Sequence, residues 1–217
     1  MNHNPDPRLL AALAAGDAST RLEAALAAGT HADPGLAEAL VARCAVEPDF
    51  FVRDMLTWAL TRLPAESTVP RLRTELRSKT AQARSQALHT LSKIGDRTAW
   101  PALTPALLDD ADDEVKRSAW RAAVVLVPDG DRGELAVRLA AQLGRGDRDT
   151  RLSLSRALAA LGDASEPALR PALAATDPAV RAHARATERL LRDPDAGFDL
   201  NVEAAKRVAA LGPERAC

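Results

Sequence analysis

Residues 112–127, Asp-Asp-Glu-Val-Lys-Arg-Ser-Ala-Trp-Arg-Ala-Ala-Val-Val-Leu-Val, open on a helix-capping acid and place a basic residue four positions later, before an alanine- and valine-rich run. The same arrangement stands at five other places: DASTRLEAALAAG from Asp17, DFFVRDMLTWAL from Asp49, TAQARSQALHTLSKIG from Thr80, DRDTRLSLSRALAALG from Asp147 and DPAVRAHARATERLL from Asp177. Their basic positions, Arg21, Arg53, Arg84, Lys116, Arg151 and Arg181, are spaced by 32, 31, 32, 35 and 30 residues. A period of that size holds two short helices and two turns, and a fixed period is the mark of a repeat architecture. A stop residue follows each copy, namely Gly29, Pro64, Gly95, Pro128, Gly162 and Pro194.

Between the stops lie the partner helices, expected near 6–15, 34–46, 67–77, 98–108, 132–143 and 165–175. Several carry a proline near the start (Pro34, Pro70, Pro101, Pro167), where the amide it lacks has no partner anyway. Pro105 and Pro171 sit deeper and are expected to kink their helices. Composition agrees with helix throughout: of 217 residues 47 are Ala and 31 Leu, aromatic residues make up 3%, and Tyr is absent. The longest apolar run, Leu9 to Ala15, is seven residues, too short for a membrane span, and the first residues lack the basic start of a secretion signal. Cys44 and Cys217 have no metal-ligand spacing. These features point to a monomeric cytoplasmic protein without membrane, metal or cofactor, and the Ala/Arg/Leu-rich usage resembles that of a high-GC bacterium.

Ile94-Gly95-Asp96 with Pro101 and then Asp112 to Lys116, and Leu161-Gly162-Asp163 with Pro167 and then Asp177 to Arg181, resemble the short HEAT-like repeats named after phycobilisome lyases. The resemblance runs over nearly the whole chain. It implies an all-α fold, a right-handed α-solenoid or armadillo-type superhelix of about six helical hairpins, with the second helix of each hairpin lining a concave side. The expected repeats are 6–29, 33–64, 67–95, 98–128, 131–162 and 165–192 of a single domain over 1–217, closed by a C-terminal cap at 199–212. The resemblance does not imply lyase activity, because such repeats occur in many proteins that attach no chromophore.

In the five copies that open on aspartate, the acid four residues before the basic position suits an N-cap, worth about 1 kcal/mol. The basic residue is expected to pair with that acid or with one in the next repeat. Offsets of three and seven from the basic position (Ala24/Ala28, Leu56/Leu60, Ala87/Leu91, Ala119/Ala123, Leu154/Leu158) are small and apolar, as a packing seam requires. Trp120 and Trp100 are expected in the core, Cys44 as inert packing, and Arg145-Gly146-Asp147 as a turn rather than an adhesion motif.

Another helix face carries Asp54/Trp58/Arg62, Ser85/His89/Lys93, Arg117/Arg121 and Arg156. If second helices line the concave side, Trp58, His89, Arg121 and Arg156 stand in a row across it, suited to an acidic helix, an anion or a phosphodiester. Residues 53–121 hold 12 basic and 9 acidic side chains, against 3 and 7 in residues 1–52, which makes the middle repeats mildly basic. No H-E-x-x-H, G-x-S-x-G or phosphate loop is present, so no catalytic residue is assigned. The primary expectation is a non-enzymatic scaffold that binds a protein or peptide through Asp54, Trp58, Arg62, His89, Arg117, Arg121 and Arg156. Asp54, Trp58, Arg62, His89 and Arg121 also resemble, in residue type, the concave-face set of HEAT-like DNA glycosylases acting on alkylated bases. A net charge of −1 argues against such nucleic-acid binding. A small-ligand sensor using a groove between repeats is the third possibility.

Overall fold

The computed structural model describes residues 6–193, and the expected C-terminal cap at 199–212 lies outside them. The chain divides into two compact units, Met1–Asp129 and Gly130–Cys217, with the division next to the Pro128 stop. The described residues form an all-α helical repeat. In the first unit the helices are α1 (Pro7–Leu13), α2 (Ala18–His31), α3 (Ala37–Val46), α4 (Phe50–Arg62), α5 (Ala65–Glu75), α6 (Ala81–Ile94), α7 (Pro105–Leu108) and α8 (Asp113–Leu126). The second unit holds α9 (Arg132–Ala140), α10 (Arg148–Ala160), α11 (Glu166–Leu173) and α12 (Pro178–Arg192). Short 3-10 turns at Pro34–Leu36, Arg97–Ala102 and Gly162–Ser165 lead into several of the first helices of the hairpins.

The capping acids do what their position predicts. Asp17, Asp49, Asp112, Asp147 and Asp177 each accept one or two free amides of the helix they precede, and in α6 Thr80 stands at the same place without a side-chain cap bond. The seam residues at offsets three and seven are all buried, and the even-numbered helices pack on one another along them, α2 on α4, α4 on α6 and α6 on α8. In the second unit α10 packs on α12 in the same manner.

The repeat arginine behaves differently from expectation. Arg21, Arg53, Arg84 and Arg181 each turn Nη1 back to two main-chain carbonyls five and six residues earlier, for example Glu47 and Pro48 for Arg53, at 2.9 and 2.7 Å. The carbonyls at the end of the preceding turn have no helical partner, so a guanidinium fork satisfies two of them at once. Pairing onward to the next repeat occurs where that repeat supplies an acid two residues before its cap. Arg21 binds Glu47 through Nε and Nη2 at 2.8 and 2.7 Å, and Arg84 binds Asp110 at 3.0 and 3.1 Å. Two residues before Thr80 the third repeat carries Ser78, whose hydroxyl accepts the Thr80 amide, in place of an acid, so the ladder is interrupted between the second and third repeats.

Three other expectations need correction. Gly29 does not stop α2, which continues to His31 and ends at Ala32 in the left-handed region (φ 52°). Pro105 splits the expected helix 98–108 instead of kinking it: Thr104 is extended, as a residue before proline prefers, so a 3-10 turn ends at Ala102 and α7 starts afresh at Pro105. Pro70 lies inside α5 rather than near its start. Trp120 is buried and donates Nε1–H to the Leu108 carbonyl at 2.9 Å, which ties α8 to α7. Cys44 is buried, and burial pushes its thiol up to about 12, which leaves it unreactive.

Candidate functional site

The first unit carries a groove of about 540 Å³ on the face of α4, α6 and α8, the second helices of three successive repeats. Such a face exists because the seam positions turn inward and the positions one and five residues past the repeat arginine are left pointing elsewhere. Small polar side chains make its floor. Thr57 is buried and meets Thr90 across α4 and α6, Ser85 donates to the Gln82 carbonyl at 3.2 Å, and Ser118 accepts from Arg121 at 2.9 Å. Gln82 bridges from α6 to the end of α3, donating to the carbonyls of Cys44 and Glu47 at 3.1 and 2.8 Å.

Phe50, on the first turn of α4, borders the groove and is 66% exposed; Phe51 beside it is 71% exposed, and their rings meet edge to face at 5.7 Å. Arg53 lies 6.0 Å from the centre of the Phe50 ring while its Nη1 serves the carbonyls of Glu47 and Pro48. On α8, Glu114 accepts from Arg117 at 2.6 Å and is 3.5 Å from Arg121. Asp112 spends Oδ1 on the amides of Glu114 and Val115. Asp54 is exposed on the α4 side and has no hydrogen bond or ion pair among the described residues. His89, half-buried on α6, is held below the ordinary imidazole range by burial and by the nearby Arg121 and Lys93, which outweigh the opposing Asp54 and Glu114.

Of the residues singled out from sequence, the groove brings together Asp54, His89 and Arg121, one from each of its three helices. Trp58 is not among its lining. A Cβ added to Gly29 would lie 2.7 Å from Trp58 Cε3 and 2.9 Å from Ala59 Cα, so the indole rests on the α2 backbone and seals α4 against α2, leaving it 38% exposed. Arg62 is exposed at the far end of α4, Arg117 is engaged with Glu114, and Arg156 is exposed on α10 of the second unit. The offset count missed Phe50, Arg53, Gln82, Asp112 and Glu114, because the groove reaches back to the first turn of each helix, and it missed Gln86, two residues past Arg84. A signal for Phe50 was present: Phe-Phe directly after a cap residue puts two aromatic rings where the seam needs only Val52.

The serine hydroxyls are committed to hydrogen bonds, and the charged groups stand at the rim. The groove is therefore equipped to hold a chain segment by charge, hydrogen bonding and one exposed ring. Residues 47–123, which include every groove-lining residue, match the family model for HEAT repeats. The match covers the middle repeats of the chain. Among solved structures, this chain is similar to two engineered proteins and to one natural complex. The first engineered protein is 24% identical, with 88% of this chain and 96% of that one covered and a TM-score of 0.48. The second is 19% identical over 85% and 97%, with a TM-score of 0.49. The complex of CpcE and CpcF of phycocyanin lyase from Nostoc sp. PCC7120 is 21% identical over 84% of this chain and 75% of that one, with a TM-score of 0.49. No curated protein matches the sequence. No described helix is long and apolar enough to cross a membrane.

Proposed function

We propose that this HEAT-repeat protein is a binding scaffold whose working surface is the α4–α6–α8 groove, where it engages a segment of a protein partner. HEAT-repeat proteins generally bind proteins, and stacked repeats supply an extended surface that one peptide can follow across several units. The observation that carries the reading is the groove itself, with Asp54, His89 and Arg121 drawn from three successive repeats and Phe50 exposed at its edge. Exposed aromatic and arginine side chains are the usual anchors of protein interfaces. Phe50 takes the anchoring part that sequence reading gave to Trp58, whose ring is occupied with Gly29. Burial and the nearby Arg121 disfavour the charged form of His89, so its part in the groove is that of a hydrogen-bonding group.

The test is affinity purification from native lysate, with and without nuclease, using wild type, Phe50→Ala/Arg121→Glu and, as a control, Arg73→Glu on α5. A protein retained after nuclease by wild type and by the control, but lost from the double variant, supports the scaffold. Retention by all three proteins places docking elsewhere and refutes the groove. Loss on nuclease treatment replaces the scaffold with nucleic-acid binding.

A further inference from the structure

The charges around the groove are unequal in what they have left to offer. Arg53 is held by two carbonyls, and Arg121 is turned toward Ser118 and Glu114. Elsewhere in the basic middle repeats Arg84 is bound to Asp110 and Lys116 to Asp113. Within the groove itself the lining carries two guanidinium groups, Arg53 and Arg121, against three carboxylates, Asp54, Asp112 and Glu114. On the acidic side, Glu114 is matched by Arg117 and Arg121 and Asp112 caps α8, whereas Asp54 on α4 has no hydrogen bond or ion pair among the described residues. An exposed carboxylate beside a groove, free of any internal cation, attracts a cation from outside.

Accepting the groove as the docking surface, we infer that its occupant is a basic peptide segment, in which a Lys or Arg side chain pairs with Asp54 while a neighbouring apolar side chain covers Phe50. Phe50 and Asp54 are four residues apart on α4, hence one turn and about 6 Å along the helix. An extended peptide spans that distance with the cation and the apolar residue separated by one position, since alternate side chains of a strand are about 7 Å apart. A helical peptide spans it with a separation of three or four. Apolar contact supplies area, and the charge-assisted hydrogen bond supplies register.

The experiment is peptide phage display against the full chain, with Asp54→Asn and Phe50→Ala proteins as counter-selections, followed by fluorescence anisotropy on the synthetic form of an enriched peptide. Circular dichroism melting of both variants confirms that they fold. Enriched sequences are expected to carry Lys or Arg at one of the stated spacings from an apolar residue. Asp54→Asn should weaken binding about tenfold, as loss of a charge-assisted hydrogen bond does, and Asp54→Glu should restore much of it. Binding should also weaken with added salt. Enrichment of acidic peptides that depend on Arg121 and not on Asp54 overturns this inference while leaving the groove as the docking surface. If no peptide depends on any groove residue, both readings fall.

Discussion

Replacing Glu47 by Gln removes one charge from a site sealed from water. Glu47 is fully buried between α3 and α4; it receives Arg21 through two bonds at 2.8 and 2.7 Å, Arg43 Nε at 2.7 Å and the Asp49 amide at 2.9 Å. Burial works against its ionisation, but the Arg21 bonds, the Asp49 amide and Arg43 prevail, holding the carboxyl at about 2 against an ordinary 4.5. That gap corresponds to about 3 kcal/mol of folding stability. Because the folded state holds the proton less tightly than the unfolded chain, the contribution is complete above about pH 4.5 and disappears as the pH falls towards 2. Glu47→Gln keeps the shape but leaves the buried Arg21 guanidinium without its counter-charge, and breaking one side of such a pair costs about 3–5 kcal/mol. Urea unfolding followed by far-UV circular dichroism, at neutral pH and at several acid values, measures both effects. The variant should be less stable by that amount at neutral pH and should lack the part of the acid-induced loss that Glu47 causes in the wild type. A variant within about 1 kcal/mol of wild type, with the same acid dependence, would show that the triad contributes no more than a surface pair does.

Gly29→Ala forces a methyl group against Trp58 and the Ala59 backbone, and should cost about 1–3 kcal/mol as overpacking does; thermal melting and a red shift of tryptophan emission check it. His183 accepts the Gly144 amide at Nδ1 (3.0 Å) and therefore donates from Nε2 to the Arg151 carbonyl (2.9 Å), an arrangement that only the neutral ring can make. Burial is the main cause that lowers its pKa, so the second unit should lose stability as pH falls below the ordinary 6.5, and His183→Gln should flatten that dependence in pH-resolved melting. Arg84→Lys should be more damaging than Arg53→Lys, because both lose a fork on turn carbonyls but only Arg84 also loses a two-bond pair with a carboxylate of the next repeat. Equal melting temperatures for the two variants would contradict that reading of the ladder.

The repeat was legible because its signals are local. A cap residue, a basic residue one turn on and apolar positions at three and seven can be counted along a single strand of text, and apart from Thr80, which makes no side-chain cap bond, the caps and the seam stand where the count puts them. What could not be counted was where the arginine turns. An i, i+4 acid is near enough to suggest a pair, but the unsatisfied carbonyls of the preceding turn lie on the same side and compete for the guanidinium. Gly29 misled for a related reason: a glycine near a helix end reads as a stop, whereas here the missing Cβ admits a tryptophan from a helix about thirty residues later. The groove was half legible. Asp54, His89 and Arg121 stand one, five and five residues past their repeat basic positions, on one helix face, and so could be aligned by arithmetic, while Phe50 and Glu114 precede those positions, outside that count.

The central claim is that a partner occupies the α4–α6–α8 groove, and site-specific photocrosslinking tests it most directly. A photoreactive residue in place of Gln86, on α6 within the groove, is compared in native lysate with the same residue in place of Arg73 on α5. A discrete protein adduct from position 86, absent from position 73 and suppressed by Phe50→Ala in the same chain, is the predicted result. Equal adducts from both positions, or an adduct from position 73 alone, would contradict it.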